Sequence, residues 1–270
     1  MSSHLDRIRP RHIRNSVTAA IGGSMLALAL VLSMSTAAQA AESGYQSLII
    51  SYRTTPAGRP ALLDALRTRL APRLDKLHAK DTLSHYRILF SRLADSQTWD
   101  ALVVLEFRNA AQSAAWRAID TQTPGGLDAK SLADTTAVES TISDSIGSGG
   151  PFSGGSDPVY MAIPYDYFVS PSEYAAYAHA YVEPQTNGWI KAGALNAYQL
   201  YMARYPAGRG WMSMLLLAYH GDAGLDERDA VVAATRKSLA SNPEWAAQAQ
   251  GKHHIRTEKA AMIADRIAGD

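Results

Sequence analysis

The chain has 270 residues, a formal charge of +1, 47% hydrophobic and 19% charged residues, and no cysteine. That composition excludes a disulfide-stapled mini-protein, a zinc–thiolate site, a cysteine nucleophile and a lipoprotein anchored through cysteine. It also excludes a disordered or fibrous chain and leaves enough length for one sizeable core or two smaller ones.

Residues 1–40 read as an export signal. Arg7, Arg9, Arg11 and Arg14 precede an apolar run over residues 19–34, and Ala38-Gln39-Ala40 offers the small-x-small pattern of a signal peptidase site. The alternative, an uncleaved anchor, is disfavoured by the shortness of that run. Cleavage after Ala40 would release a chain of slightly negative charge to the periplasm or beyond, where the lack of a thiol prevents mispairing. Without a long basic block the mature chain has no footprint for nucleic acid, and without a second long apolar stretch it has none for a membrane.

In chain order, residues 46–52 (QSLIISY) read as a strand. Leu63, Leu66, Leu70, Leu74 and Leu77 then form a helical stripe, with Pro72 expected to kink or divide the helix. Strands follow over residues 84–91 and 100–107, then a helix over 109–119 with Asn109 as its cap, and a fourth strand near 137–146. Glycine- and serine-rich residues 147–158 read as a flexible linker. The second half begins with a strand over 160–169 and a capping box at Ser170-Pro171-Ser172-Glu173, opening a helix expected to stop at Val182 before Pro184. Strands near 197–203 and 212–219 and a helix over 227–240 complete it, with a further turn of helix over 243–250. The tail from His254 fits either a strand or a helix.

The two halves resemble each other. Residues 83–108 align without a gap on residues 195–220, with Leu83/Leu195, Tyr86/Tyr198, Arg92/Arg204, Trp99/Trp211 and Leu105/Leu217 identical. Ile50-Ser51-Tyr52 matches Ile163-Pro164-Tyr165 one residue out of that register, and Asp144 can be set against Asp265. Each half therefore predicts the order strand–helix–strand–strand–helix–strand, the ferredoxin-like unit. Its helices cover one face of a sheet, yet Leu102-Val103-Val104-Leu105 and residues 212–217, with only Ser213 polar, are apolar on both. The expected cover is the other half. The fold class is thus α+β: ferredoxin-like halves at 41–146 and 159–270, packed sheet to sheet with room for a ligand between them.

On this element order and internal repeat, the chain resembles the dimeric α/β-barrel superfamily in its fused, tandem form. The resemblance implies a range that includes cofactor-independent monooxygenases and haem-dependent enzymes, and it assigns no catalytic residue to this chain. No Gly-x-Ser-x-Gly, His-Glu-x-x-His or calcium-loop pattern occurs.

The ligand-binding candidates are Tyr165, Tyr167, Arg92, Arg204, Trp211, His220 and His254. Tyr165 and Tyr167 lie in a tyrosine-rich stretch that either lines a pocket or packs a core, with Tyr174, Tyr177 and Tyr181 as a helical stripe. Arg92/Trp99 and Arg204/Trp211 suit either a repeated grip on an anion or a cation–π clamp across a hairpin neck. His220 and the pair His253-His254 are the residues best suited to proton transfer or haem, with His78 and His85 behind them. The sequence requires no cofactor and shows no metal-ligand spacing. It points to an exported binder of a small, partly apolar molecule, with the oxygenase or haem enzyme as the alternative and self-association left open.

Overall fold

The computed structural model describes residues 47–152 and 157–269. The leader, its cleavage site and part of the expected linker lie outside the described residues. Among those described, no helix is long and apolar enough to cross a membrane.

The first strand, β1 (Ser47–Thr54), leads into a helical run that Thr55 and Pro56 open. This run consists of α1 (Arg59–Ala65), a π-helical segment (Leu66–Leu70) and α2 (Ala71–Ala79). Pro72 does not divide it. A proline lacks the amide donor and crowds the carbonyl one turn back, and the π segment just ahead widens that turn so that Ala71 donates to Leu66 instead. The same device recurs after α4 (Pro171–Tyr177), where a π segment (Ala178–Val182) precedes Pro184 and the helix carries on as α5 (Glu183–Lys191). The expected stop at Val182 is therefore overturned. The wider turn also favours four-residue spacing: Leu62, Leu66, Leu70 and Leu74 are the buried stripe, and Leu63 sits only half-buried beside it.

Strands β2 (His85–Ser91) and β3 (Ala101–Glu106) form the first hairpin, followed by α3 (Ala110–Gln122). Asn109 caps α3 by accepting from the Gln112 amide at 3.0 Å. Next comes β4 (Thr135–Gly149), longer than expected. Gly147, Ser148 and Gly149 are not linker but strand, paired with Leu200, Gln199 and Tyr198. A Cβ at Gly149 would come within 2.5 Å of the Tyr198 ring, so glycine here serves close approach rather than flexibility.

The second half runs β5 (Val159–Tyr167), the α4–α5 helix, β6 (Leu195–Ala203) and β7 (Ser213–Tyr219). The chain closes with α6 (Gly221–Asp226), α7 (Arg228–Leu239), α8 (Pro243–Ile255), β8 (Arg256–Glu258) and β9 (Met262–Gly269). The Ser170–Glu173 capping box forms as expected. The tail takes both states, with His254 in the last turn of α8 and two strands after it.

All pairings are antiparallel. Strands β4-β1-β3-β2 are neighbours, as are β9-β5-β7-β6, and the edges join through β4–β6 and β2–β9. The result is a closed eight-strand barrel, with β8 lying on β5 beyond β9. The sheets thus do not merely face each other; hydrogen-bonded seams weld their edges. Strand alternation then divides the apolar residues into three cores. Val103 and Leu105 face the helices of the first half, and Leu215 and Leu217 those of the second. Leu102, Val104, Leu216 and Ala218 point into the barrel with Ile49, Leu89 and Met214. The both-faces-apolar third strands are explained by this arrangement. Between the mouths the barrel interior holds an apolar core of its own.

Candidate functional site

Because neighbouring strands alternate in direction, β1, β2, β5 and β6 begin at one mouth of the barrel and β3, β4, β7 and β9 begin at the other. The second mouth holds Trp99 and Trp211, each just ahead of a third strand and buried in the interior core. The first mouth is polar, and it carries the strongest constellation in the fold.

Arg87 on β2 is 4% exposed and points inward beside Leu89. Its Nη1 donates to Glu106 Oε1, at the end of β3, at 2.9 Å. Tyr201, on β6 across the β4–β6 seam, donates its Oη to the same oxygen at 3.2 Å. Phe152, beyond the end of β4, lies over the Arg87 guanidinium at 4.1 Å and stacks on Tyr160 at a centroid distance of 6.4 Å and an interplanar angle of 11°. Gly150 delivers it there. With φ of 71° it turns the chain in the left-handed region, and a Cβ would strike the Asn196 carbonyl oxygen at 2.0 Å.

Electrostatics hold this cluster in one protonation pattern. Burial pushes the Tyr201 phenol well above its ordinary range, and the Glu106 charge pushes it further, so it remains a neutral donor. Burial opposes the charge of Arg87, but Tyr201 and Glu106 more than offset that, and its pKa stands above the ordinary arginine value. Within this cluster Arg87 Nε is buried with no hydrogen-bond partner among the described residues. A cavity of about 230 Å³ opens beside the cluster, lined by Arg87, Glu106, Phe152, Gln199, His85 and Ser148. An adjoining one of about 310 Å³ shares His85, Glu106 and Gln199 and extends to Ser47, Arg108 and Ser145.

Of the residues singled out from sequence, His85 lines this mouth, and the ligand-binding candidates lie elsewhere. Tyr165 and Tyr167 share the face of Ile163 and pack in the helix–sheet core, because the inward positions of β5 are Tyr160 and Ala162. Tyr165 lies under the Arg256 guanidinium at 3.8 Å, and Tyr167 stacks on Tyr174 at 4.5 Å. Arg92 and Arg204 clamp the two seams. From the end of β2, Arg92 Nε donates to Asp265 on β9 at 2.8 Å, and its Nη1 also contacts Asp222. From the end of β6, Arg204 grips Asp144 on β4 with both Nε and Nη2, at 2.6 and 2.7 Å. The aligned aspartates are thus the partners of the aligned arginines. Trp211 fills the interior at the opposite mouth from Arg87.

His220 opens α6 and His254 sits near the end of α8, both exposed. Every histidine among the described residues is exposed, so none offers haem an axial ligand inside an apolar chamber. Among the described residues no group of three or more histidine or acidic side chains is placed to hold a metal. The site residues that sequence reasoning missed are Arg87, Glu106, Tyr201 and Phe152, whereas Tyr160 belongs to the tyrosine-rich stretch that it weighed as a pocket wall. A usable signal existed: Arg87 aligns with Gln199, Glu106 with Ala218 and Leu89 with Tyr201, so the site lies where the halves diverge.

No protein-family model matches the chain, and a search of curated proteins finds no match either. Solved structures do match. A provisionally assigned monooxygenase from Lactobacillus acidophilus NCFM is 9% identical with a TM-score of 0.51, over 83% of this chain and 94% of that one. An anthrone oxidase-like protein is 10% identical with a TM-score of 0.52, over 83% and 92%. A second provisionally assigned monooxygenase, from Fusobacterium nucleatum, is 10% identical with a TM-score of 0.50, over 84% and 95%. Identities this low bear on the fold alone, and that fold is the one of the dimeric α/β-barrel superfamily, with no family within it singled out.

Proposed function

We propose that the protein binds a small, partly apolar molecule at the first mouth of its barrel. The observation that carries this reading is the Arg87–Glu106–Tyr201 cluster, a charge pair and a phenol on the inward face of the barrel beside a cavity of about 230 Å³. Stability alone does not ask for such a cluster, since a buried ion pair is about as stable as apolar side chains of the same volume, or less so. A convergent polar set beside an aromatic wall is what a binding site requires. Native mass spectrometry of the purified protein, with thermal shifts across a panel of small apolar metabolites, tests this reading. A ligand-free spectrum together with a flat panel refutes it.

The second reading, a cofactor-independent oxygenase, draws support from the fold likeness to proteins described as monooxygenases and as anthrone oxidase-like. Oxygen uptake on quinol- and anthrone-type substrates tests it, and a flat trace refutes it. A haem enzyme is less well supported, because the exposed histidines do not fit that group. The arginine leader, apolar run and Ala38-Gln39-Ala40 support export, with cleavage after Ala40 and activity in the periplasm or outside the cell. N-terminal sequencing of the protein recovered from its own cells tests that. Duplication of one ferredoxin-like unit is supported by the strand orders β4-β1-β3-β2 and β9-β5-β7-β6 and by the paired π segments, each followed by proline.

A further inference from the structure

We infer that the first mouth of the barrel binds a small aliphatic acid, and that its single carboxylate is held between Arg87 and Arg266. This rests on the binding role proposed above and names the class of molecule bound.

Arg266 is a second arginine on the inner side of the wall. It lies on β9 directly opposite Leu89 of β2, and residues opposite each other in a sheet share a face. Leu89 faces the barrel interior, as do Ala264 and Met262, two and four residues before Arg266. Arg87 is the next inward position on β2 toward the mouth, so the two arginines are diagonal neighbours. Such positions lie about 7–8 Å apart, a gap that two long side chains can span to meet one anion. A register shift between Ile88 and Leu89 separates them, a bulge of the kind that re-aims side chains at barrel rims.

Both arginines have donors to spare. Arg87 Nε and Arg266 Nη1 are buried with no hydrogen-bond partner among the described residues, and Arg266 pairs with no carboxylate among them. Buried donors without acceptors are unfavourable, and a cation without a counter-charge more so. Among the described residues, those with a fixed charge on the inward face at this mouth are Arg87, Arg266 and Glu106. Two cations thus meet one carboxylate, and one further negative charge balances the set. A phosphate monoester would bring two and set the excess against Glu106.

The anion approaches edge-on. Guanidinium N–H bonds lie in the plane of the group, so an acceptor reaches Arg87 Nε at its edge while Phe152 stays over its face at 4.1 Å. Phe152 in turn stacks on Tyr160, so the places that would stack a ring are filled from within, and a flexible chain suits the space left. The cavity of about 230 Å³ lined by Arg87 and Phe152 exceeds the roughly 150 Å³ that holds benzene, and an acid of about four carbons is no larger. Arg266 and Phe152 are only half-buried. Because Phe152 follows the last residue of β4, it can give way without unpairing a strand.

The test is fluorine NMR on the purified protein with 4,4,4-trifluorobutanoate and the neutral 4,4,4-trifluorobutan-1-ol, with butanoate and inorganic phosphate as competitors. The acid should bind about tenfold or more tightly than the alcohol, and butanoate should displace it at lower concentration than phosphate does. Arg266→Met should weaken the acid by about tenfold without lowering the melting temperature, since it removes a charge that has no partner. Arg87→Lys can still pair with Glu106 but lacks the second in-plane donor, and should weaken the acid by about fivefold. No binding of the acid, equal binding of the alcohol, easier displacement by phosphate, or unchanged affinity in either variant overturns the inference. So does a lowered melting temperature for Arg266→Met, which would give that residue a structural role. A neutral ligand found in the thermal-shift panel and insensitive to Arg266→Met overturns it while leaving the binding role standing.

Discussion

The two mouths of the barrel are filled by opposite chemistry. At one, Trp99 and Trp211 bury large apolar rings from equivalent places in the two halves. At the other, Arg87 and Glu106 come from the first half only, and the aligned positions in the second are Gln199 and Ala218. Tryptophan stabilises through burial and asks for nothing further. The ion pair must overcome the loss of water around two charges before it contributes anything. The difference teaches that identity between the halves marks structure here, whereas divergence marks the candidate site.

Substitutions at the two mouths sharpen that contrast. Trp211→Ala should cost the most, about 3–5 kcal/mol of unfolding free energy by denaturant titration, because it leaves a hole in the interior core. Its effect on ligand binding at the far mouth should be small by comparison. Arg87→Met alone should cost about 3 kcal/mol, since it strands the Glu106 carboxylate, and adding Glu106→Leu should recover part of that loss, the rest being the buried Tyr201 hydroxyl left without its acceptor. No recovery in the double variant would mean that the pair is held for stability, and the contrast between the mouths would fail.

The pH dependence is a finer probe of the same cluster. The folded-state pKa of Tyr201 lies above its unfolded value, so the stabilisation from keeping the phenol neutral is fully present below about pH 10 and declines above it. Tyr201→Phe should remove up to about 1.4 kcal/mol per pH unit from the alkaline slope, with Tyr52 and other buried tyrosines supplying the rest. Smallest of all should be the seam clamp. Arg204→Ala should cost about 1 kcal/mol or less, shrinking as salt is raised, because both partners are partly exposed.

Much of this architecture could be read before any coordinates. The apolar run Leu102–Leu105 demanded cover on both faces, and the barrel provides it with Leu102 and Val104 inward and Val103 and Leu105 outward. Helix caps were legible because Asn109 and Ser170 act within a few residues of themselves. The helix beyond Pro184 was not, because proline stops an α-helix but not one that widens to π geometry just before it. The tyrosines of β5 show a further limit. Period-two alternation separates Tyr160 from Tyr165 and Tyr167, but only the pairing of strands says which set faces the barrel. The site stayed hidden for a related reason. Arg87 and Tyr201 are far apart in sequence and meet through Glu106 across a seam, where no local pattern connects them.

The welded seams have a consequence for the chain's behaviour in a crowded medium. Inside the closed ring each of the eight strands has a neighbour on both sides, so the folded protein presents little backbone to which a foreign strand could attach. Either four-strand set standing alone would bare two long edges, β2 and β4 in the first or β6 and β9 in the second. Separated halves would therefore seek each other, or further copies of themselves, through edges that ring closure pairs within one chain.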